Sequence, residues 1–273
     1  MMRTKSQKFT FKFGLLGVSL YISMALLADV FSHFYGWDAY ASDLSLSSFP
    51  GAPSWQHWFG TDDRGRDVLT RLILGTRYSL GFSILVWSLS YSLGIAVGAI
   101  MGYLGGLIDL VTQRFIEVFE TVPFLYLALL ILSGLGRSFA VLVFVNVLSG
   151  WMMISVYMRG QVLKEKQGLI VESARALGAS PKRIVFFHIL PLSVLPVLVF
   201  SPLALASYLT TLVQLDFLGL GLQPPTPSWG ELLAQALAHF PEAWWLLLFP
   251  LSALVGILLS FQAMASSFSK KGH

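Results

Sequence analysis

The densest group of chemically capable side chains is the run GTDDRGRD at residues 60–67, which sets Asp62, Asp63, Arg64, Arg66 and Asp67 together. Carboxylates that crowded could ligate a cation, and the arginines could hold a phosphate. Opposite charges so close in sequence also pair with one another, and intramolecular pairing is the simpler reading. No catalytic constellation emerges elsewhere. His33, His57, His188, His239 and His273 are scattered without H-E-x-x-H spacing, cysteine is absent, and G-x-S-x-G does not occur. These absences argue against peptidase and metalloenzyme chemistry. The chain also contains no G-x4-G-K-[ST] phosphate loop, so it cannot bind nucleotide in that manner.

A second charged stretch, LIVESARALGASPKRIVFFHILP at 169–191, is polar without being catalytic. Ile170, Ala174 and Leu177 recur at helical spacing and predict one apolar face, with Glu172 and Arg175 pointing elsewhere. Gly178 follows the last periodic residue, where helices often close in the left-handed conformation. Ser180 and Pro181 then read as N-cap and first residue of a second helix. The expectation is helix, sharp turn, helix. A third polar group is Arg114, Glu117 and Glu120. Carboxylates partly buried in a membrane are expensive and usually have partners. Arg114, three residues before Glu117 on the same helix face, is the nearest. The two acids either pair locally at the membrane surface or make polar contacts at an inner gate or a second subunit.

The elements that must position these groups are apolar. Mean hydropathy is +0.71, hydrophobic residues are 55% and charged residues 12%, against roughly 25% charged in soluble domains. A span needs about 20 mostly apolar residues. Six stretches qualify: Phe13–Phe34, Ser79–Tyr103, Phe115–Leu135, Phe139–Tyr157, Leu192–Leu215 and Ala243–Ala265. The first is read as a retained signal-anchor, because the small-residue cleavage pattern after it is poor. With a cytoplasmic N-terminus, thirteen of the eighteen lysines and arginines fall in inside segments, among them Arg3, Lys5, Lys270 and Lys271. Both termini and the 169–191 elbow are then expected inside. Residues 36–60 read as an outside loop, and Asp62–Tyr78 as an amphipathic helix in which Asp67 and Arg71 pair at i, i+4. Prolines 191, 196 and 202 should kink the fifth span. The whole chain reads as one all-α transmembrane domain: cytoplasmic 1–12, outer loop and helix 36–78, core spans 79–265, and a cytoplasmic loop at 160–191 between two of them.

Three blocks carry a resemblance. Glu172-Ser173-Ala174, Gly178 and His188-Ile189-Leu190-Pro191 resemble the EAA-x3-G-x9-I-x-LP loop of ABC importer permeases, with Ser173 in place of an alanine and His188 in place of an isoleucine. GTDDRGRDVLTRLILGTRYSL at 60–80 and FLGLGLQPPTPSW at 217–229 are similar to segments of the C-type subunit of the dipeptide/oligopeptide (peptide/nickel) branch. The blocks occur in the family's order, and the first 55 or so residues are weakly covered.

The resemblance implies an ABC type I importer permease fold with six transmembrane helices. It implies that Ile170, Glu172, Ser173, Ala174, Arg175, Leu177 and Gly178 form a cytoplasmic coupling helix that docks on an ATPase. It further implies a second homologous permease subunit, two ABC ATPase subunits and a periplasmic solute-binding protein as partners, with no cofactor and no nucleic acid. The chain itself would be non-catalytic, in the bacterial inner membrane. Asp62, Asp63, Arg64, Arg66, Asp67 and Trp229 are candidates to meet the delivering protein from outside. The alternative is a gradient-driven carrier or channel that needs no ATPase. Such carriers keep ionisable groups near the bilayer midplane, whereas Asp29, His33, Glu117 and Glu120 lie toward span ends.

Overall fold

The computed structural model describes residues 5–45 and 50–269, and every regular element among them is helical. Arg3, Lys270 and Lys271, counted above as inside cations, His273, and part of the outer loop at 46–49 lie outside the described residues. Five helices are long and apolar enough to cross a membrane, or six if one bent pair is a single span. The chain divides into two compact units: Met1–Ile84 with Arg137–Leu142 and Pro202–His273, and Leu85–Gly136 with Val143–Ser201.

In the first unit, α1 (Lys5–Leu26) and, after one residue, α2 (Ala28–Tyr35) share the expected first span. α1 runs against α12 (Trp245–Ser269), and the Tyr21 hydroxyl donates to the Ala253 carbonyl at 2.8 Å. A β-carbon on Gly14 would come 2.6 Å from the Ser260 carbonyl oxygen, so glycine is what lets the two backbones approach. The core gathers Val68 and Leu72, Leu209 and Val213 of α10 (Ser201–Phe217), Trp229 and Leu232 of α11 (Trp229–His239), and Leu246 and Ile257 of α12. Each such buried side chain contributes about 1.5–3 kcal/mol, enough to fix the first turns of α3 (Val68–Leu104) against α10, α11 and α12.

α3 corrects an expectation. It is one helix of 37 residues, about 55 Å long at 1.5 Å per residue, against about 30 Å of hydrocarbon. The amphipathic segment at 62–78 is therefore not a separate element. It becomes helical at Val68 and runs straight into the second span, because no glycine or proline pair interrupts it.

In the second unit, the expected straight span Phe115–Leu135 is broken into α4 (Gly106–Glu120) and α5 (Phe124–Leu135), bent by 84°. Pro123 lacks the donor a continuing helix needs and clashes with the preceding turn, so the helix stops. α6 (Phe139–Lys166) outruns its expected end by nine residues. Two short helices follow, α7 (Leu169–Ala176) and α8 (Pro181–Ile184), then a π-helical turn over Val185–Ile189 and α9 (Leu190–Leu198).

The proline expectation is met at particular places. The Leu190 N–H reaches back five residues to the Val185 carbonyl, just before Pro191. The helix ends at Leu198, ahead of Pro202. The fifth apolar stretch is consequently Pro181–Leu198 followed by a break and α10, not an unbroken Leu192–Leu215.

Candidate functional site: an exposed elbow and a buried charge cluster

α6 ends in a turn in which Gly168 N–H bonds the Glu165 carbonyl at 3.0 Å, and α7 starts from extended backbone at Gly168. Glu172 lies in the first turn of α7 and Arg175 in the last, each matching the helix dipole at its end. The helix closes with a double lock: Ala179 N–H bonds the Ala174 carbonyl and Gly178 N–H bonds the Arg175 carbonyl, both at 3.0 Å. That geometry requires the left-handed backbone at Gly178, where φ is 78°. Ser180 then caps α8, its hydroxyl oxygen accepting from Arg183 N–H, and Pro181 opens the helix.

The faces of α7 differ from expectation in one respect. Val171 and Ala174 are its buried residues, whereas Leu169 is 80% exposed, Ile170 55% and Leu177 88%. Ala174 thus turns toward the unit's interior with Val171, while Ile170 and Leu177 keep their apolar surface outside it. Glu172, Ser173, Arg175 and Gly178 are exposed as well. This short segment thus presents three exposed large aliphatics beside a cation and an anion.

The GTDDRGRD run does the opposite. Asp62, Arg66, Asp67 and Arg71 are buried, the last fully. The Asp62 carboxylate accepts from Arg66 Nε at 2.7 Å and from the N–H groups of Arg64 and Arg66 at 2.9 Å, while Arg71 Nε lies 3.2 Å away as an ion-pair contact. Glu231, in the first turn of α11, pairs with Arg66 Nη2 at 3.2 Å and with Arg71. Arg71 Nη1 also donates to the Ala39 carbonyl at 2.9 Å. Two guanidiniums and two carboxylates thus balance in one buried cluster that ties the outer loop, α3 and α11 together.

The expected Asp67–Arg71 side-chain pair is replaced. Asp67 caps α3 by accepting from Thr70 N–H at 2.8 Å, and its other oxygen lies 2.9 Å from His57 Nδ1. His57 is buried between two acids, with Nε2 3.1 Å from Asp43. The Ser45 hydroxyl and N–H, and then His57, hold the Asp43 carboxyl below the usual carboxylate range. Its folded value being depressed, the stability it contributes is present above the ordinary Asp range and is lost as pH falls through the lowered value.

Of the residues proposed as an outer contact surface, Asp62, Arg66, Asp67 and Trp229 are therefore interior. Trp229 is fully buried, its indole N–H donating to the Leu72 carbonyl at 3.0 Å. Asp63 is half-buried and Arg64 exposed, and only these two keep surface. Arg114 and Glu117 pair as expected on α4, and both are exposed, as is Glu120 at its end.

Sequence reasoning missed Glu231, His57 and Asp43 as partners of this cluster. Ser228 and Glu231 have the S-x-x-E spacing of a capping box, and Ser228 does accept from Glu231 N–H at 3.1 Å, so that signal was there to find. Nothing near His57 announces its two acids, which lie 14 residues before it and 10 after. Also missed was Asp109 of α4, whose carboxylate takes Arg159 of α6.

Comparison with known proteins agrees with this architecture. The family model described as binding-protein-dependent transport system inner membrane component matches residues 94–271. The inner membrane ABC transporter permease protein YejE of Escherichia coli (strain K12) is 42% identical over 72% of this chain and 58% of its own length. The peptidoglycan transport system permease protein YejE of Agrobacterium fabrum is 39% identical over 69% and 49%. The match thus spans roughly half of each of those relatives. The oligopeptide transport system permease protein OppC of Bacillus subtilis (strain 168) is 32% identical over 97% of this chain and 85% of its own. A solved amino acid ABC transporter with histidines superposes with TM-score 0.55 at 17% identity, covering 75% of this chain and 95% of that one. At that identity the likeness concerns the fold alone.

Proposed function

The chain belongs to the family of binding-protein-dependent transport system inner membrane components, and on that footing we propose that it is a permease subunit of an ATP-driven importer for peptides or similar small solutes. The observation that carries the proposal is the elbow. Leu169, Ile170 and Leu177 leave an apolar surface uncovered on a rigid helix–turn–helix, flanked by Glu172 and Arg175. A groove on an ATP-hydrolysing subunit would bury the aliphatics and meet the charges at its rim.

In this mechanism α7 is a handle. Closure of two ATPase subunits on ATP displaces it, and the attached helices move as rigid bodies. The pathway then opens alternately to the two sides. The chain performs no chemistry; hydrolysis belongs to the partners. One chain offers one elbow, so two ATPases call for a second, homologous permease, with a periplasmic solute-binding protein delivering cargo. The lysine and arginine distribution supports cytoplasmic termini and a cytoplasmic elbow in a multi-pass inner-membrane protein. Asp63 and Arg64 are the surviving candidates for contact with the delivering protein.

The chain has no native cysteine, so single cysteines at Ile170 and Leu177 give a clean test. Crosslinking in membranes should capture an ATP-hydrolysing protein, and a membrane-impermeant thiol reagent should label these sites only from the cytoplasmic side. Labelling from outside, or crosslinks that never contain such a protein, would end the proposal.

A further inference from the structure

Three helix ends meet in the second unit where α6 gives way to the elbow. The connection from α3 to α4 is Gly105 (φ 66°, ψ −152°), followed by Gly106 (φ 58°) as the first residue of α4, both at positive φ that glycine adopts without steric cost. Glycine backbone permits many directions, so other contacts must set the direction in which α4 leaves this connection. Beyond it, Asp109 in the first turn of α4 takes Arg159 of α6 in a two-pronged pair, Nε at 2.5 Å and Nη2 at 2.6 Å, with Gln113 Nε2 on the same carboxylate at 2.9 Å. Lys166, the last residue of α6, donates to the Tyr103 carbonyl at 2.8 Å and lies 5.5 Å from that ring's centre. All four side chains are half-buried.

Alongside these contacts α3 and α6 lie backbone to backbone. A β-carbon on Gly98 would come 2.3 Å from the Ser155 carbonyl oxygen, and one on Gly102 2.9 Å from that of Arg159. The far half of α4 is held differently, by Ile116 and Phe119 packing on Met101, Trp151 and Met152. That apolar contact is non-directional and by itself does not fix how α4 is oriented. The guanidinium–carboxylate fork fixes orientation as well as distance.

We infer that the Asp109–Arg159 pair is a positioning element that makes α4 follow α6 when the elbow is displaced. The inference rests on the reading of the elbow as a handle. Only two residues, Gln167 and Gly168, separate α6 from α7. A push on α7 therefore reaches Arg159 along an unbroken helix, and the fork passes it to α4. α4 carries Arg114, Glu117 and Glu120 and bends 84° into α5, so its movement re-aims the bent segment. Lysine at 159 would keep the charge but lose the planar fork.

The test uses the complete transporter with spin labels on cysteines at Val111 of α4 and Met153 of α6, both exposed. Distances are recorded by electron paramagnetic resonance without nucleotide and with ATP and vanadate. The inference requires one narrow distance common to both states in the parent protein. It requires a broadened or displaced distribution in the ATP state for Arg159→Lys, and restoration in the swap of Asp109→Arg with Arg159→Asp. In proteoliposomes, labelled trialanine taken up per ATP hydrolysed should fall about 3- to 30-fold in Arg159→Lys. If Arg159→Lys does not assemble, Asp109→Asn is read by the same two measurements.

Arg159→Lys distances that match the parent in both states overturn the inference, as does loss of assembly in every variant, which would make the pair a folding element only. The Leu177 cysteine crosslink separates the two ideas. If no ATPase is captured there, the handle reading fails; if one is captured and α4 moves independently of Arg159, only the fork fails.

Discussion

The charge cluster around Asp62 and the elbow at 169–191 are both charged stretches set among apolar helices, and they dispose of their side chains in opposite ways. In the cluster the charges are inside: Asp62, Arg66, Asp67 and Arg71 are buried, Asp62 between the two guanidiniums and Asp67 beside the buried His57. In the elbow the charges stay in the open, and so do the aliphatic residues Leu169, Ile170 and Leu177. Charge density therefore does not mark a contact surface. Of these two regions, only the elbow leaves apolar area uncovered on a segment whose backbone is locked at its turn, and on the proposed reading that combination is what a partner would meet. The cluster holds its unit together, whereas the elbow, on the reading proposed above, is held by a partner.

The largest effect expected from that contrast is on the cluster. Replacing Arg71 by Met leaves Asp62 and Glu231 with one guanidinium between them and strips the Ala39 carbonyl of its donor. Removing one member of a buried pair typically costs about 3–5 kcal/mol. Thermal unfolding of the detergent-solubilised protein should therefore drop sharply, with folded yield falling too. An Arg71→Met protein as stable as the parent would erase the distinction between the two regions. The same measurement on Arg64→Met, an exposed neighbour, should change stability by less than about 0.5 kcal/mol.

Next comes Leu177→Ser, where the contrast predicts a split. Stability should move by less than about 0.5 kcal/mol, since the side chain touches little within this chain. Affinity for the ATPase should weaken by about 2 kcal/mol, near thirtyfold, if Leu177 fills a pocket in the partner. Titrating the purified ATPase onto nanodisc-embedded permease reads the second quantity. A variant that loses stability and keeps affinity would reverse the assignment.

How much of this was legible in the sequence differs between the regions, for a physical reason. The elbow is local. Its glycine, serine and proline act on their own backbone within a few residues, so Gly178, Ser180 and Pro181 could be placed from spacing alone. The apolar spans were legible too, because hydropathy needs no partner. What the sequence could not supply was anything set by distant contacts. Asp67 and Arg71 have the spacing of a helix pair, yet Asp67 caps the helix and Arg71 turns to Glu231, 160 residues away. The break at Pro123 is local in cause, but the expected span hid it because apolar residues continue on both sides. Arg159 was counted only as a charge, since its partner Asp109 lies 50 residues earlier.

A smaller and sharper effect is expected at Gly178. A β-carbon there would meet no atom within 4 Å, so any penalty comes from the left-handed backbone and not from crowding. A β-branched residue in that conformation costs roughly 1–2 kcal/mol, whereas asparagine tolerates it. Gly178→Val should weaken ATPase capture by re-aiming α7, and Gly178→Asn should largely preserve it. Equal losses in both would mean that the space around Gly178 matters and that a partner fills it.

The smallest expected effect tests whether the elbow's second helix belongs to the handle or to the membrane-spanning part behind it. Ser180→Ala removes the hydroxyl that accepts from Arg183 N–H. That bond is long, 3.4 Å, beyond the usual range for N–H···O. The loss should then lie at the low end for N-caps, about 0.5 kcal/mol, with Pro181 still presetting the first turn. Because α8 has four residues and runs directly into the π-turn and α9, fraying it should loosen the joint behind α7 while leaving the lock at Gly178 intact. Hydrogen exchange should therefore rise at Lys182–Ile184 and stay unchanged at Gly178 and Ala179, whose N–H groups bond back into α7. If exchange rises across both, the two short helices form one cooperative unit, and the handle extends from Leu169 to the π-turn.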